Sequence, residues 1–134
     1  MKAREGILTQ ELDPELRSKL PDGGRGYSAY LAASYVQWVM AGGARAVPII
    51  IGRDKQYYRQ VGTLHITLHS PNQISKFSVL FQIFDGINGL LLPGGNAPLT
   101  GDGGYATVGG MFFDWAKEAN DQGDFFPVTY CYHH

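Results

Sequence analysis

The sequence predicts an α/β fold on a mostly parallel sheet, from three observations. Continuous apolar runs, such as Ala46-Val47-Pro48-Ile49-Ile50-Ile51 and Leu90-Leu91-Leu92, suit buried strands. Two segments, 27–40 and 105–120, repeat apolar residues at the three-and-four spacing of a helix face. The runs and the helical segments alternate along the chain, as right-handed crossovers between parallel strands require.

The elements follow in order. Gly6-Ile7-Leu8-Thr9-Gln10 reads as a first strand. Residues 11–26 are polar and rich in Pro and Gly, a loop with one helical turn around Pro14-Glu15-Leu16. Over 27–40, Tyr30, Leu31, Ser34, Tyr35, Trp38 and Val39 share a helical face, Ala32-Ala33 favours helix, and Gly42-Gly43 stops it. The run 46–51 is a strand buried on both faces of the sheet, with Pro48 placing it near an edge. Residues 54–60 form a short helical piece, and 83–92 lead through Phe84 and Ile87 into a third strand ending in Pro93-Gly94-Gly95. A second helix over 105–120 carries Val108, Met111, Phe112, Trp115 and Ala119 on one face, its start weakened by Gly109-Gly110. Phe125-Phe126-Pro127-Val128 begins a fourth strand.

Composition narrows the function classes. A chain of 134 residues with 44% apolar content is one domain, or part of one, with a real core. Its net charge of −1 gives no reason to expect nucleic acid or an anionic membrane as partner. No apolar stretch approaches the ~20 residues of a membrane span, and the start Met1-Lys2-Ala3-Arg4-Glu5-Gly6 has no signal-peptide core. The single cysteine, Cys131, rules out an internal disulfide and any multi-cysteine metal site.

Among local motifs, the apolar strand running into Pro93-Gly94-Gly95 offers backbone N–H groups to a reacting oxygen, and could equally be a tight turn. His65 and His69 are four apart, but Leu64-His65-Ile66-Thr67-Leu68-His69 favours strand, where they stand roughly 13 Å apart, too far to share a metal. Cys131, His133 and His134 fall short of the four ligands of a closed zinc site. Gly101-Asp102-Gly103-Gly104-Tyr105-Ala106 matches a loose dinucleotide fingerprint but does not follow a strand, so it reads as a polar loop. Trp38, Trp115, Phe112 and Phe113 read as core or dimer contacts. No metal and no cofactor is expected.

Several segments together resemble one family. Gly6-Ile7-Leu8, Ala32-Ala33-Ser34-Tyr35-Val36, Gly43-Ala44-Arg45-Ala46-Val47-Pro48, Ile87-Asn88-Gly89-Leu90-Leu91-Leu92-Pro93-Gly94-Gly95 and Gly123-Asp124-Phe125-Phe126-Pro127-Val128 occur in the order and character of γ-glutamyl hydrolases. The resemblance implies a partial flavodoxin-like three-layer sandwich of the class I glutamine-amidotransferase type. It also implies a reaction: a cysteine thiolate attacks the γ-amide of a folylpoly-γ-glutamate, a thioester forms, and a carboxylate-oriented histidine protonates the leaving amine and then activates water. By the same resemblance, Gly94 or Gly95 would hold the oxyanion, and Tyr30 and Tyr35, on the first helix, would flank the cleft. Family members are commonly homodimers and are lysosomal, vacuolar or secreted. The missing signal peptide would leave this chain in the cytosol.

Two segments depart from the family. Its strand continues as Trp-Gly-Thr-Cys-Leu-Gly, where small residues permit the sharp turn of a nucleophile elbow. Here the chain reads Thr129-Tyr130-Cys131-Tyr132-His133-His134. Cys131 therefore stands one position early, between bulky tyrosines and without a following helix to lower its thiol pKa. The segment 61–82 is extra, since deleting it restores the family spacing. It begins with Val, whose codons start GT, and ends with Gln, one of whose codons ends AG. Translated intron is one reading of 61–82 and of the off-pattern tail 129–134, and an ordinary surface insertion is the other for 61–82. The sequence thus predicts the first part of a γ-glutamyl hydrolase-like domain over 1–134, lacking the family histidine and carboxylate and inactive alone, with Cys131 a compromised nucleophile. The alternatives are a non-catalytic fragment that binds a γ-glutamyl ligand or pairs with other subunits, and a mis-spliced product without function.

Overall fold

The computed structural model of this protein describes residues 1–59, 83–101 and 104–131, so the segment 61–82, all four histidines and the 102–103 part of the glycine-rich loop lie outside the described residues. Its main sheet is formed by β1 (Arg4–Leu8), β4 (Arg45–Ile49), β5 (Gly89–Leu92) and β6 (Val128–Tyr130), all parallel, in the order β4-β1-β5-β6. In chain order of these strands this is second-first-third-fourth, the doubly wound order of flavodoxin-like folds. A two-stranded antiparallel ribbon pairs β2 (Gln10–Glu11) with β3 (Ala29–Tyr30). The helices are α1 (Pro14–Lys19), α2 (Ala33–Ala41), α3 (Lys55–Tyr58) and α4 (Tyr105–Asp121). None of them is long and apolar enough to cross a membrane.

Side-chain alternation along the strands makes three layers. Ile7 and Leu91 face α2 and pack with Val39, flanked by Leu31, Tyr35, Val36 and Cys131. Leu8 and Leu90 face the other way, into a larger core with Ile49, Tyr58, Phe84, Val108, Phe112, Trp115 and Phe126. Fully burying each large apolar side chain contributes roughly 1.5–3 kcal/mol, so the α4 face is the main hydrophobic anchor. Gly109 lets α4 lie close: a Cβ there would stand 3.1 Å from Leu8 Cδ2 and 3.7 Å from Leu92 Cδ2.

The structure moves several expected boundaries. β1 starts at Arg4 because parallel pairing extends it, Arg4 with Arg45 and Glu5 with Ala46. The first helix begins at Ala33, not Tyr27. Ala29-Tyr30 instead pair with Gln10-Glu11, so Tyr30 is a strand residue and not a helical one. β4 is not buried on both faces. Among the described residues it is an edge strand with Arg45 and Pro48 exposed, a place where the N–H that proline lacks is not missed. α4 nevertheless runs unbroken through Gly109-Gly110. The tail's Thr129 and Tyr130 continue the fourth strand, paired with Leu91 and Leu92. Trp115 and Phe112 are core residues, whereas Trp38 and Phe113 are 59% and 50% exposed.

Candidate functional site

In doubly wound sheets, ligands bind beyond the carboxyl ends of the strands where the winding direction reverses. That point here lies between β1 and β5. β1 is followed by Thr9-Gln10-Glu11 and β5 by Pro93-Gly94-Gly95, so the switch point joins a polar strand end to a glycine turn.

The turn is held by side chains from three elements. The Gly94 N–H donates to the Tyr35 hydroxyl at 3.1 Å, and that hydroxyl donates to the Gly94 carbonyl at 3.3 Å. The Pro93 carbonyl accepts from Gln10 Nε2 at 3.1 Å and from the Tyr105 hydroxyl at 2.7 Å. Tyr30 donates its hydroxyl to Gln10 Oε1 at 2.9 Å. Gly95 has φ of +155°, and a Cβ on it would come within 2.7 Å of Gln10 Oε1, so only glycine fits against that amide.

The electrostatics keep the tyrosines neutral. Burial, then the neighbouring Tyr35, Cys131 and Glu11, push the Tyr105 hydroxyl up to about 12. Burial, helped by the charge of Asp13 and by Tyr35, also raises Tyr30. Both therefore stay protonated donors at ordinary pH.

Glu11 secures the start of α4. Gly104 at the N-cap has no side chain to offer, and Glu11 Oε1 accepts from the Tyr105 N–H at 2.8 Å instead. A Cβ on Gly104 would collide with that carboxylate, so the glycine makes room for a cap supplied from a distant strand. Glu11 Oε2 is buried without a hydrogen-bond partner among the described residues.

Gly94, Gly95, Tyr35 and Tyr30, expected from the sequence, thus meet at one end of the sheet, Tyr30 through Gln10 rather than from a helix. Cys131 lies at the same end, directly after β6. Its N–H donates to the Leu92 carbonyl at 3.0 Å, and its half-buried side chain packs on the Ile7, Val39 and Leu91 side of the sheet. No histidine stands beside it among the described residues, and residues 132–134 of the tail lie outside them. Sequence reading missed Gln10, Glu11 and Tyr105. The first two carried a usable signal, a polar pair directly after an apolar strand, where such folds bind ligands. Tyr105 carried none, because a helix-opening residue does not announce a contact with a turn twelve positions earlier.

Chemically, the arrangement is a rigid backbone turn with neutral hydroxyl donors around it and a thiol at its margin. It suits recognition of a carbonyl or carboxylate oxygen.

No protein-family model matches the chain. It is similar to several curated proteins. It is 39% identical over 99 residues to "Gamma-glutamyl hydrolase" of Mus musculus, covering 74% of this chain and 24% of that protein. It is 32% identical over 123 residues to "Gamma-glutamyl hydrolase B" of Dictyostelium discoideum, 92% of this chain and 27% of that protein. It is 36% identical over 100 residues to "Gamma-glutamyl hydrolase" of Glycine max, 75% of this chain and 22% of that protein. The chain spans about a quarter of the length of the curated relatives it matches.

Proposed function

Because the chain belongs to the γ-glutamyl hydrolase family, we propose that it supplies the backbone turn and one wall of a γ-glutamyl-binding site and does not turn substrate over by itself. The observation that carries this reading is the Pro93-Gly94-Gly95 turn, fixed at the switch point by Tyr35, Gln10 and Tyr105. The ligand is a folylpoly-γ-glutamate or another γ-glutamyl small molecule. Its γ-carbonyl oxygen takes the place of the Tyr35 oxygen at the Gly94 N–H, and the freed tyrosine hydroxyl becomes a second donor to the same oxygen. Gly95 lets the ligand approach the backbone closely. In an enzyme of this type, one such donor is worth roughly 100–1,000-fold in rate.

Catalysis needs more than an oxyanion donor. A thiolate must be generated beside a base, and Cys131 sits in an apolar setting among Ile7, Val39 and Leu91. We take the segment 61–82 to be an insertion into the domain, and the chain to pair as a homodimer in a lysosomal, vacuolar or secreted setting, as the family implies.

The test is direct. Purified chain incubated with a γ-glutamyl-linked dipeptide should release no glutamate, while calorimetry shows the dipeptide bound. Turnover that disappears in Cys131→Ala would overturn the non-catalytic reading, and absence of binding would overturn the binding one.

A further inference from the structure

We infer that Gln10 is a positioning residue that aims the Gly94 N–H without touching the ligand. Hydrogen-bond chemistry fixes the amide's orientation. A carbonyl can only accept, so the end of the Gln10 amide 3.1 Å from the Pro93 oxygen must be Nε2. Oε1 then faces the Tyr30 hydroxyl at 2.9 Å, which donates to it. Gln10 is 4% exposed and its amide is enclosed by the Gly95 backbone, so the amide has one available orientation.

The consequence lies in the peptide plane. The Pro93 carbonyl and the Gly94 N–H belong to one trans peptide unit, and no cis peptide bond occurs in the described chain. In such a unit C=O and N–H point in opposite directions and turn together. Gln10 and the Tyr105 hydroxyl, both on the Pro93 oxygen, therefore fix where the Gly94 N–H points on the other side of the plane. It points at the Tyr35 oxygen, the position assigned above to the ligand. Tyr30 contributes one step further back, by holding the amide that holds the carbonyl. Only the assignment of the ligand rests on the proposed function; the geometric claim does not.

Two variants test it. Gln10→Leu keeps the volume and removes the donor. Gln10→Glu, when ionised, sets a second acceptor against the Pro93 carbonyl, but on acidification its carboxyl can donate as the amide does. Amide NMR reads the Gly94 N–H, thermal unfolding reads the fold, and calorimetry with γ-glutamylglutamate reads affinity. In Gln10→Leu the Gly94 resonance should move at every pH, with affinity about tenfold weaker. In Gln10→Glu it should be displaced at neutral pH and return toward the wild-type position as the carboxyl protonates, with affinity recovering in parallel. A Gly94 resonance unmoved in Gln10→Leu, or displaced in Gln10→Glu with no return on acidification, would overturn the proposal. Should wild-type chain fail to bind γ-glutamylglutamate, the proposed function falls, and the amide shifts alone still decide for or against Gln10.

Discussion

On the α4 face of the sheet, Phe84 stacks on Phe126 with ring centroids 4.7 Å apart, and Phe112 and Trp115 meet it edge-on. At the carboxyl ends of β1 and β5, Tyr30, Tyr35 and Tyr105 instead aim hydroxyls at Gln10, Gly94 and Pro93. Both regions are aromatic, and they differ in what the rings are for. The first fills volume in a dry interior, where any void loses contacts on all sides. The second uses the ring as a rigid arm that delivers one polar atom to one backbone group. Tyr58 joins the two modes. Its ring packs on Phe112 while its hydroxyl donates to the Ile50 carbonyl at 2.6 Å and accepts from the Arg53 N–H at 3.0 Å.

If the contrast is right, truncation should hurt the two regions differently. Phe112→Ala opens a cavity in the fully buried cluster and should cost about 3–5 kcal/mol in urea or thermal unfolding. A cost below that of a surface substitution would mean the cluster is not the anchor of the fold.

Tyr105→Phe keeps the ring and removes one of two donors to the Pro93 carbonyl, so it should cost only about 1 kcal/mol. Its sharper signature is at alkaline pH. The Tyr105 hydroxyl is pushed up to about 12 in the fold, above the ordinary tyrosine value of 10.0. The folded state thus keeps a proton that the unfolded state has lost. Its contribution is complete below pH 10 and disappears as the pH climbs toward 12. Stability of the wild type should fall across that window, and Tyr105→Phe should fall less. Tyrosinate absorbance during the titration checks the assignment.

The smallest effects belong to α4, which serves both regions. A Cβ at exposed Gly110 meets nothing within 4 Å, so Gly110→Ala should stabilise by about 0.5–1 kcal/mol through helix propensity. Gly109→Ala should gain less, because its methyl presses on Leu8. Equal gains at both positions would show that α4 can lift from the sheet freely.

The two regions also differ in how far they could be read from the sequence. Apolar runs and three-and-four spacing marked the strand cores and α4, because burial selects residue types position by position. The expected helix over 27–40 failed at its start because Ala29 and Tyr30 pair with Glu11 and Gln10, a contact between distant segments that periodicity does not register. Gly109-Gly110 suggested a weak helix start, and what intrinsic propensity does not register is the close approach of Gly109 over Leu8, where the missing side chain lets α4 sit against the sheet. Of the residues at this end of the sheet, the glycine turn, Tyr30 and Tyr35 came from the family pattern, Gln10 and Glu11 stood as an unread polar pair after an apolar strand, and Tyr105 carried no signal.

By itself, then, the sequence determined the alternation of strands and helices, the apolar faces that make three layers, the glycine turn after β5 and the kinship to γ-glutamyl hydrolases. Each of these is written in local residue type. Only the tertiary structure decided that Gln10 and Tyr105 would share the Pro93 carbonyl, that Glu11 would cap α4, and that Cys131 would come to rest against Ile7 and Leu91. Those contacts arise from the second-first-third-fourth winding of the sheet, which brings to one end strand termini separated by some eighty residues and leaves their polar groups to find one another.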